Sequence, residues 1–219
     1  MNETAPEAIR LRAGKVVLEG DLELPAGAAG VVLFAHGSGS SRHSARNRAV
    51  AAALRRVGLG TLLFDLLSAP EEAIDARTMC LRFDIGLLAE RLVCAVDWMG
   101  NRAEARGLPI GLFGASTGAA AALVAAAQRP AMVGAVVSRG GRPDLAGAAL
   151  PAVAAPTLLI VGENDQEVLA LNRQAQRALR CESKLEIVPA ASHLFEEPGA
   201  LEKVARLARE WLLRNLSRG

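Results

Sequence analysis

Apolar positions follow two rhythms that take turns along this chain. From Ile9 to Leu24, apolar and polar residues alternate in the runs IRLRA and KVVLEGDLEL, broken at Gly14, which predicts an antiparallel pair. GVVLFAHG (30–37), GTLLFDLL (60–67) and LPIGLFGAS (108–116) are continuous apolar runs, the pattern of strands covered on both faces. MVGAVVSRG (132–140), APTLLIVGEND (155–165) and KLEIVPAAS (184–192) repeat that pattern. Between them the period changes to that of a helix. Helices are expected over Ala45 to Val57, over Thr78 to Met99 (Leu81, Ile85, Leu88, Leu92, Val96), over TGAAAALVAAAQ (117–128) and over Glu167 to Leu179. A last one runs from Leu201 to Leu213, with Leu201, Val204, Leu207 and Trp211 in one stripe. Strands alternating with helices predict an α/β fold, a largely parallel sheet with helices on both faces. No linker or internal repeat interrupts the pattern, so residues 1–219 are expected to form one domain.

Composition narrows the function classes. A chain of 219 residues with 51% hydrophobic content can bury a large core. The net charge of +2 and scattered arginines give no basic block for nucleic acid. No apolar run has the ~20 residues needed to cross a bilayer. Met1 to Arg10 is polar and acidic, without the layout of a signal peptide. Three cysteines, Cys80, Cys94 and Cys181, show no paired spacing and read as free thiols in a reducing compartment, with neither disulfide nor metal site. The expectation is a cytoplasmic protein without membrane or nucleic-acid partners; the sequence fixes no oligomeric state.

The candidate chemistry lies at Gly114-Ala115-Ser116-Thr117-Gly118, a G-x-S-x-G pattern between an apolar strand and a small-residue helix. A sharp strand-to-helix turn lifts a serine hydroxyl above a sheet and needs small neighbours. The competing reading is a phosphate-binding loop. Such a loop belongs in the first strand–helix unit with an acidic residue ending the next strand, whereas this one is mid-chain and followed by VVSRGG. There is also no G-K-[ST], and no tyrosine for a hydride-transfer site.

A serine nucleophile needs a base and a group that orients the base. His193 follows the last strand and Asp165 the strand before it, giving the chain order Ser116, Asp165, His193 expected of a hydrolase triad, each at a strand's C-terminal end. Taken singly, Asp165 could cap the following helix, and His193 could be an ordinary loop histidine. Glu163 is the rival acid, set too close to its strand. Oxyanion donors are expected from the backbone N–H groups of Thr117 and Ser38, with His36 holding the loop that carries Ser38. Arg42, His43, Arg46, Arg139 and Arg142 are expected at one rim, where the arginines are either solvated or paired with surface acids, or, for Arg139, hold an anionic group of the substrate; Arg139 and His43 are the substrate-binding candidates.

The segments HGSGSSRHSARNRAVA, LLFDLL, GLFGASTGAAAAL, VVSRGGRPDLAG, LLIVGENDQEV and SHLFEEPG together resemble the α/β-hydrolase superfamily. Within it the chain is similar to the dienelactone-hydrolase-like group, and in particular to hydrolase domains fused to phosphoribosyltransferases. The resemblance spans nearly the whole chain. It implies an eight-stranded, mostly parallel sheet, and catalytic residues that fall on Ser116, Asp165 and His193. Dienelactone hydrolases carry a cysteine at the nucleophile; Ser116 stands there in this chain, so the resemblance implies a mechanism and not that substrate. The expected activity is hydrolysis of small soluble esters or thioesters without metal or organic cofactor. The alternatives are acyl transfer by the same triad and a non-catalytic binding module. The short stretch between VVSRGG and TLLIVG leaves no room for a lid domain, so an open pocket is expected.

Overall fold

The computed structural model describes residues 6–216. The part of the N-terminal reading that falls on residues 1–5 lies outside them. Eight strands form one sheet: β1 Glu7–Ala13, β2 Val16–Glu23, β3 Val31–Ala35, β4 Gly60–Phe64, β5 Ile110–Ala115, β6 Val133–Arg139, β7 Thr157–Gly162 and β8 Ser183–Val188. Their order is β1-β2-β4-β3-β5-β6-β7-β8. The pairs β1–β2 and β2–β4 are antiparallel, and every pair from β4–β3 onward is parallel.

Successive side chains of a strand point to opposite faces, so the continuous apolar runs feed two cores. Val31 and Leu33 enter one, Val32 and Phe34 the other. The helices α3 Ile85–Gly100 and α4 Thr117–Gln128 cover the first face. The helices α1 Ala45–Arg55 and α6 Ala200–Leu216 cover the second. The helix α5 Gln166–Ala178 lies beside β7 and β8, with Val168 and Leu169 packed near Leu185 and Ile187. A buried face of this extent is the dominant stabilising term, at roughly 25 cal/mol per Å² of apolar surface.

The helix expected over Thr78 to Met99 is corrected. It starts at Ile85, where Asp84 caps it by accepting from Leu87 N–H at 2.9 Å. Before it lie α2 Ala69–Thr78 and a 3-10 turn Leu81–Phe83. Met79 between them is left-handed (φ 55°), which ends α2. The Asp75 carboxylate ties the break together, accepting from Leu81 N–H at 2.8 Å, Arg82 N–H at 3.0 Å and Arg82 Nε at 2.6 Å. The apolar stripe read from Leu81 therefore overshoots by one turn.

Between β6 and β7 a 3-10 stretch, Pro143–Ala152, fills the link, with no inserted domain.

The packing of α4 dictates its glycines. A Cβ on Gly118 would sit 2.5 Å from the His36 carbonyl, and one on Gly114 would sit 2.6 Å from the Gly118 carbonyl. Real side chains do not approach backbone so closely. These glycines admit the chain's own backbone, so their place in the pattern is set by packing. Gly118→Ala should therefore cost at least about 2 kcal/mol by overpacking. Denaturant unfolding at unchanged slope checks this, against Gly147→Ala, where nothing lies within 4 Å and any cost comes from the positive φ instead.

Candidate active site

Ser116 ends β5 and opens α4 in a backbone state few residues adopt, φ 51° and ψ −122°. Such geometry costs of order 1–3 kcal/mol and must be held from outside. Ser116 N–H donates to the Arg139 carbonyl at 3.3 Å, and its carbonyl accepts from Arg142 N–H at 3.1 Å and Ala119 N–H at 3.1 Å. Both ends of its peptide frame are thus fixed by the exit of β6 and the first turn of α4. Serine at a helix N-cap normally bonds the helix backbone, but the Ser116 hydroxyl makes no such bond.

Asp165 occupies the N-cap of α5 and also makes no side-chain cap. Its Oδ2 meets His193 Nδ1 at 2.6 Å instead. The capping alternative for Asp165 is thereby answered by geometry. Glu163 is engaged elsewhere, accepting from Ala190 N–H at 2.8 Å. That bond braces the loop carrying His193, together with Asn164 N–H to the Ala191 carbonyl at 2.9 Å and Ser192 N–H to Glu197 at 2.9 Å. Gly162 lets the loop cross, since a Cβ there would lie 2.6 Å from the Ser192 carbonyl. The loop passes close over the β6 exit: a Cβ on Gly140 would lie 3.5 Å from His193 Cε1. The sequence-predicted Ser116, Asp165 and His193 are therefore gathered around one strand-end region.

The loop after β3 approaches the Ser116 turn directly, with a Gly37 Cβ position 3.1 Å from Ser116 Cβ. Gly37 to Ser40 is a tight turn closed by Ser40 N–H to the Gly37 carbonyl at 3.1 Å, with Gly39 at φ +67°. Thr117 is the first residue of α4, a position whose N–H has no acceptor within the helix.

His36 holds this loop. Its Nε2 accepts from Leu66 N–H at 3.1 Å and its Nδ1 lies 3.0 Å from the Gly37 carbonyl, a pattern that a neutral ring protonated on Nδ1 completes. Burial pushes its pKa below the ordinary 6.5, only partly offset by the Gly37 bond and by Asp65.

A cleft of about 420 Å³ opens beside the loop, lined by Gly37, Ser38, Ser40, His43, Leu67 and Glu72 among others. Asp75, Ala76 and Arg82 also line it, so α2 and the turn after it form a wall. The link between β4 and α3 thus walls one side of this cleft, whose lining does not include Ser116 or His193. A signal for it stood in the sequence, Ser68-x-x-Glu71 with Pro70, and Ser68 N–H does donate to Glu71 at 2.8 Å. The helix buries only Asp75, so no apolar stripe announced it.

Three of the rim arginines are paired with acids. Arg42 pairs with Asp65 and Glu19, Arg46 with Glu196, and Arg142 with Asp144. His43 lines the cleft and contacts Arg48 Nη2 at 2.9 Å. Arg139 is not part of that lining and is buried, 8% exposed. The two substrate-binding candidates are thus not brought together.

Among the described residues no group of three or more His, Cys, Asp or Glu is placed to hold a metal, and no helix is long and apolar enough to cross a membrane.

A family model, the dienelactone hydrolase family, matches residues 25–215. The chain belongs to that family. It is 59% identical to a dienelactone hydrolase from Anabaena variabilis ATCC 29413, whose crystal structure superposes with a TM-score of 0.96 over 98% of this chain and 100% of that one. Est1E from Butyrivibrio proteoclasticus, at 15% identity and TM-score 0.80 over 96% of this chain and 99% of that one, shares the fold. Two Mycobacterium tuberculosis relatives, 54% identical over 210 residues, bear the name "putative phosphoribosyl transferase". The match covers 96% of this chain but 46% of theirs, so the chain spans about half their length. Family and fold make the protein an α/β hydrolase.

The depressed pKa of His36 gives a pH dependence with a definite sign. The folded state resists a proton that the unfolded chain accepts below 6.5, so this contribution is present above that pH and is lost as pH falls through it. His36→Gln should flatten the loss of stability between pH 7 and about 5 relative to wild type. Parallel denaturant melts across that range check it, and parallel slopes would show that His36 is not the group responsible.

Proposed function

We propose that the protein is a serine hydrolase of small esters or thioesters, with Ser116 as nucleophile, His193 as general base and acid, and Asp165 as the group that orients His193. The observation that carries this reading is the 2.6 Å His193–Asp165 pair beside a serine whose strained backbone leaves its hydroxyl uncapped. Binding Asp165 at Nδ1 leaves Nε2 as the nitrogen that can take a proton from Ser116.

In the reaction, Ser116 Oγ attacks the acyl carbonyl while His193 Nε2 accepts its proton. The developing oxyanion is met by the N–H groups of Thr117 and Ser38, which makes their placement before the reaction a large share of the rate. The C–O bond of an ester, or the C–S bond of a thioester, then breaks, and the imidazolium returns the proton to the departing alkoxide or thiolate. Water enters, gives a proton to His193 and attacks the acyl-enzyme; the Ser116 ester bond breaks and Ser116 regains a proton as the acid leaves. Asp165 stabilises the imidazolium in both halves. No metal or organic cofactor takes part in these steps.

The cleft of about 420 Å³ lined by Ser38 and His43 supports a compact ester as substrate. His43 on its wall is the candidate polar contact there. Cytoplasmic residence belongs to the same proposal and is supported by three cysteines that are all free.

A fluorophosphonate probe should label wild type and not Ser116→Ala, and Ser116→Ala should lose at least ~1000-fold in p-nitrophenyl acetate turnover with its melting curve unchanged. Asp165→Asn should lose most turnover and Glu163→Gln little. Unaltered turnover in Ser116→Ala rejects the assignment. Burial pushes the Cys94 and Cys181 thiols up, so neither is a ready thiolate. Iodoacetamide should accordingly leave activity intact, whereas inactivation without unfolding would point to a cysteine nucleophile.

A further inference from the structure

Two consecutive peptide units at the exit of β6 hold the serine turn, and they are anchored differently. The Arg139–Gly140 unit is tied to the ends of the neighbouring strands. Its C=O accepts from Ser116 N–H at 3.3 Å, and its N–H donates to the Ile160 carbonyl at 2.8 Å. The Gly141–Arg142 unit lies past Arg139–Ile160, the last register pair of β6 with β7. Its N–H donates to the Ser116 carbonyl at 3.1 Å. Its C=O is held by a side chain: Asn172 Nδ2 donates to it at 2.9 Å. Gly141 is wedged in place, since a Cβ there would lie 2.6 Å from Ala119 Cβ.

Asn172 breaks the pattern of its own helix. It is fully buried in the middle of α5, on the face that also buries Val168, Leu169 and Ala175. An apolar side chain would complete that stripe. The amide instead faces two carbonyls, that of Gly141 and that of Val168 at 2.8 Å, so its NH2 group and not its oxygen points at them. The Val168 bond fixes the rotamer. The other half of the amide gains nothing, because Oδ1 is enclosed without a partner. A buried amide with an orphaned oxygen is a concession in stability relative to leucine. What Asn172 supplies in return is a fixed Gly141 carbonyl.

A peptide unit is planar, with its C=O and N–H pointing opposite ways. Asn172, the Gly141–Arg142 unit and the Ser116–Thr117 unit therefore form one hydrogen-bonded row that ends at the Thr117 N–H. We propose that Asn172 is a positioning residue for the oxyanion hole, acting through this row to aim and polarise the Thr117 N–H. The proposal rests on the serine-hydrolase reading, in which that N–H meets the developing oxyanion. Bonds in such a row strengthen one another, because a unit that accepts a hydrogen bond at its C=O becomes a better donor at its N–H. The negative charge of the oxyanion is thereby answered as far back as α5. The same helix opens at Asp165, about two turns before Asn172. One rigid element thus orients both His193 and the oxyanion donor.

The test uses p-nitrophenyl acetate and butylboronic acid, which forms a tetrahedral anion on a serine nucleophile, with wild type, Asn172→Leu and Asn172→Gln. Losing an oxyanion donor outright costs roughly 100- to 1000-fold in kcat, so loosening one from behind should cost about 10-fold. Asn172→Leu should show that loss in kcat with KM changed by less than about twofold, and its Ki for butylboronic acid should rise by a similar ~10-fold. Asn172→Gln, which keeps an NH2 donor, should recover part of both. Unchanged kcat and Ki in Asn172→Leu overturn the row. A loss carried by KM instead of kcat, or a glutamine variant no better than leucine, also overturns it by making Asn172 a packing residue. Should neither variant fold, wild type labelled with 15N-asparagine decides: butylboronic acid should move the Asn172 side-chain NH2 signals, and signals unmoved at saturation overturn the proposal. Fluorophosphonate labelling separates the two readings. A labelled, active wild type matched by Asn172→Leu loses the row alone, whereas an unlabelled, inactive wild type loses the hydrolase reading and the row with it.

Discussion

One backbone unit constrains everything above the sheet. Ser116 is held at positive φ, and it can be so only because β6 grips it from one side and α4 starts immediately on the other. That start brings α4 against the end of β3, close enough that Gly118 cannot bear a side chain. The end of β3 is in turn where His36 fixes the next loop, bonded to the exit of β4 through Leu66. Four parallel neighbours, β4, β3, β5 and β6, are thus locked together at their C-terminal ends by backbone contacts and one histidine ring. Parallel sheets place their ligand sites there for this reason: the loops meet, and the strands below are rigid.

The polar groups around this region follow an economy of full neutralisation. Asp165 spends its carboxylate on His193 and not on its own helix, and Glu163 spends its own on the loop backbone. Arg42 and Arg142 are each matched by an acid within their own strand-end loops or next to them. In a low-dielectric setting this matching is what makes the few exceptions informative, since an unmatched group costs more there than in water. Near the Ser116 turn, Thr117 Oγ1, Ser138 Oγ and the Nε and Nη1 of Arg139 are such exceptions.

Much of the fold was legible because buried parallel strands write themselves as unbroken apolar runs. All six runs from GVVLFAHG to KLEIVPAAS became strands, and Ser116, Asp165 and His193 followed from their positions just past three of them. What escaped was structure without an apolar signature. The helix α2 buries one aspartate, so periodicity could not announce it, and its only signal was a capping pattern. The onset of α3 was misread because Leu81 happens to be in phase with the stripe, while the real start is set by Asp84. The rim arginines were predicted as a group because sequence places them in loops; which of them is paired depends on acids distant in the chain, such as Glu196 for Arg46. No local pattern encodes that.

The wall beside the cleft is fastened by Asp75, whose single carboxylate gathers Leu81, Arg82 and the Arg82 side chain. On the rest of that wall Ile74, Met79 and Phe83 face outside, while Leu81 packs against the first core and Glu71 pairs with the buried Arg91. The positions free to change are therefore the outward ones. Chemistry and the cleft wall are housed in separate parts: the strand ends carry Ser116, Asp165 and His193, and the wall comes from the link between β4 and α3. For a small domain this is a cheap route to new substrates, and a saturation library confined to the outward positions of the wall would explore it without touching the machinery beneath.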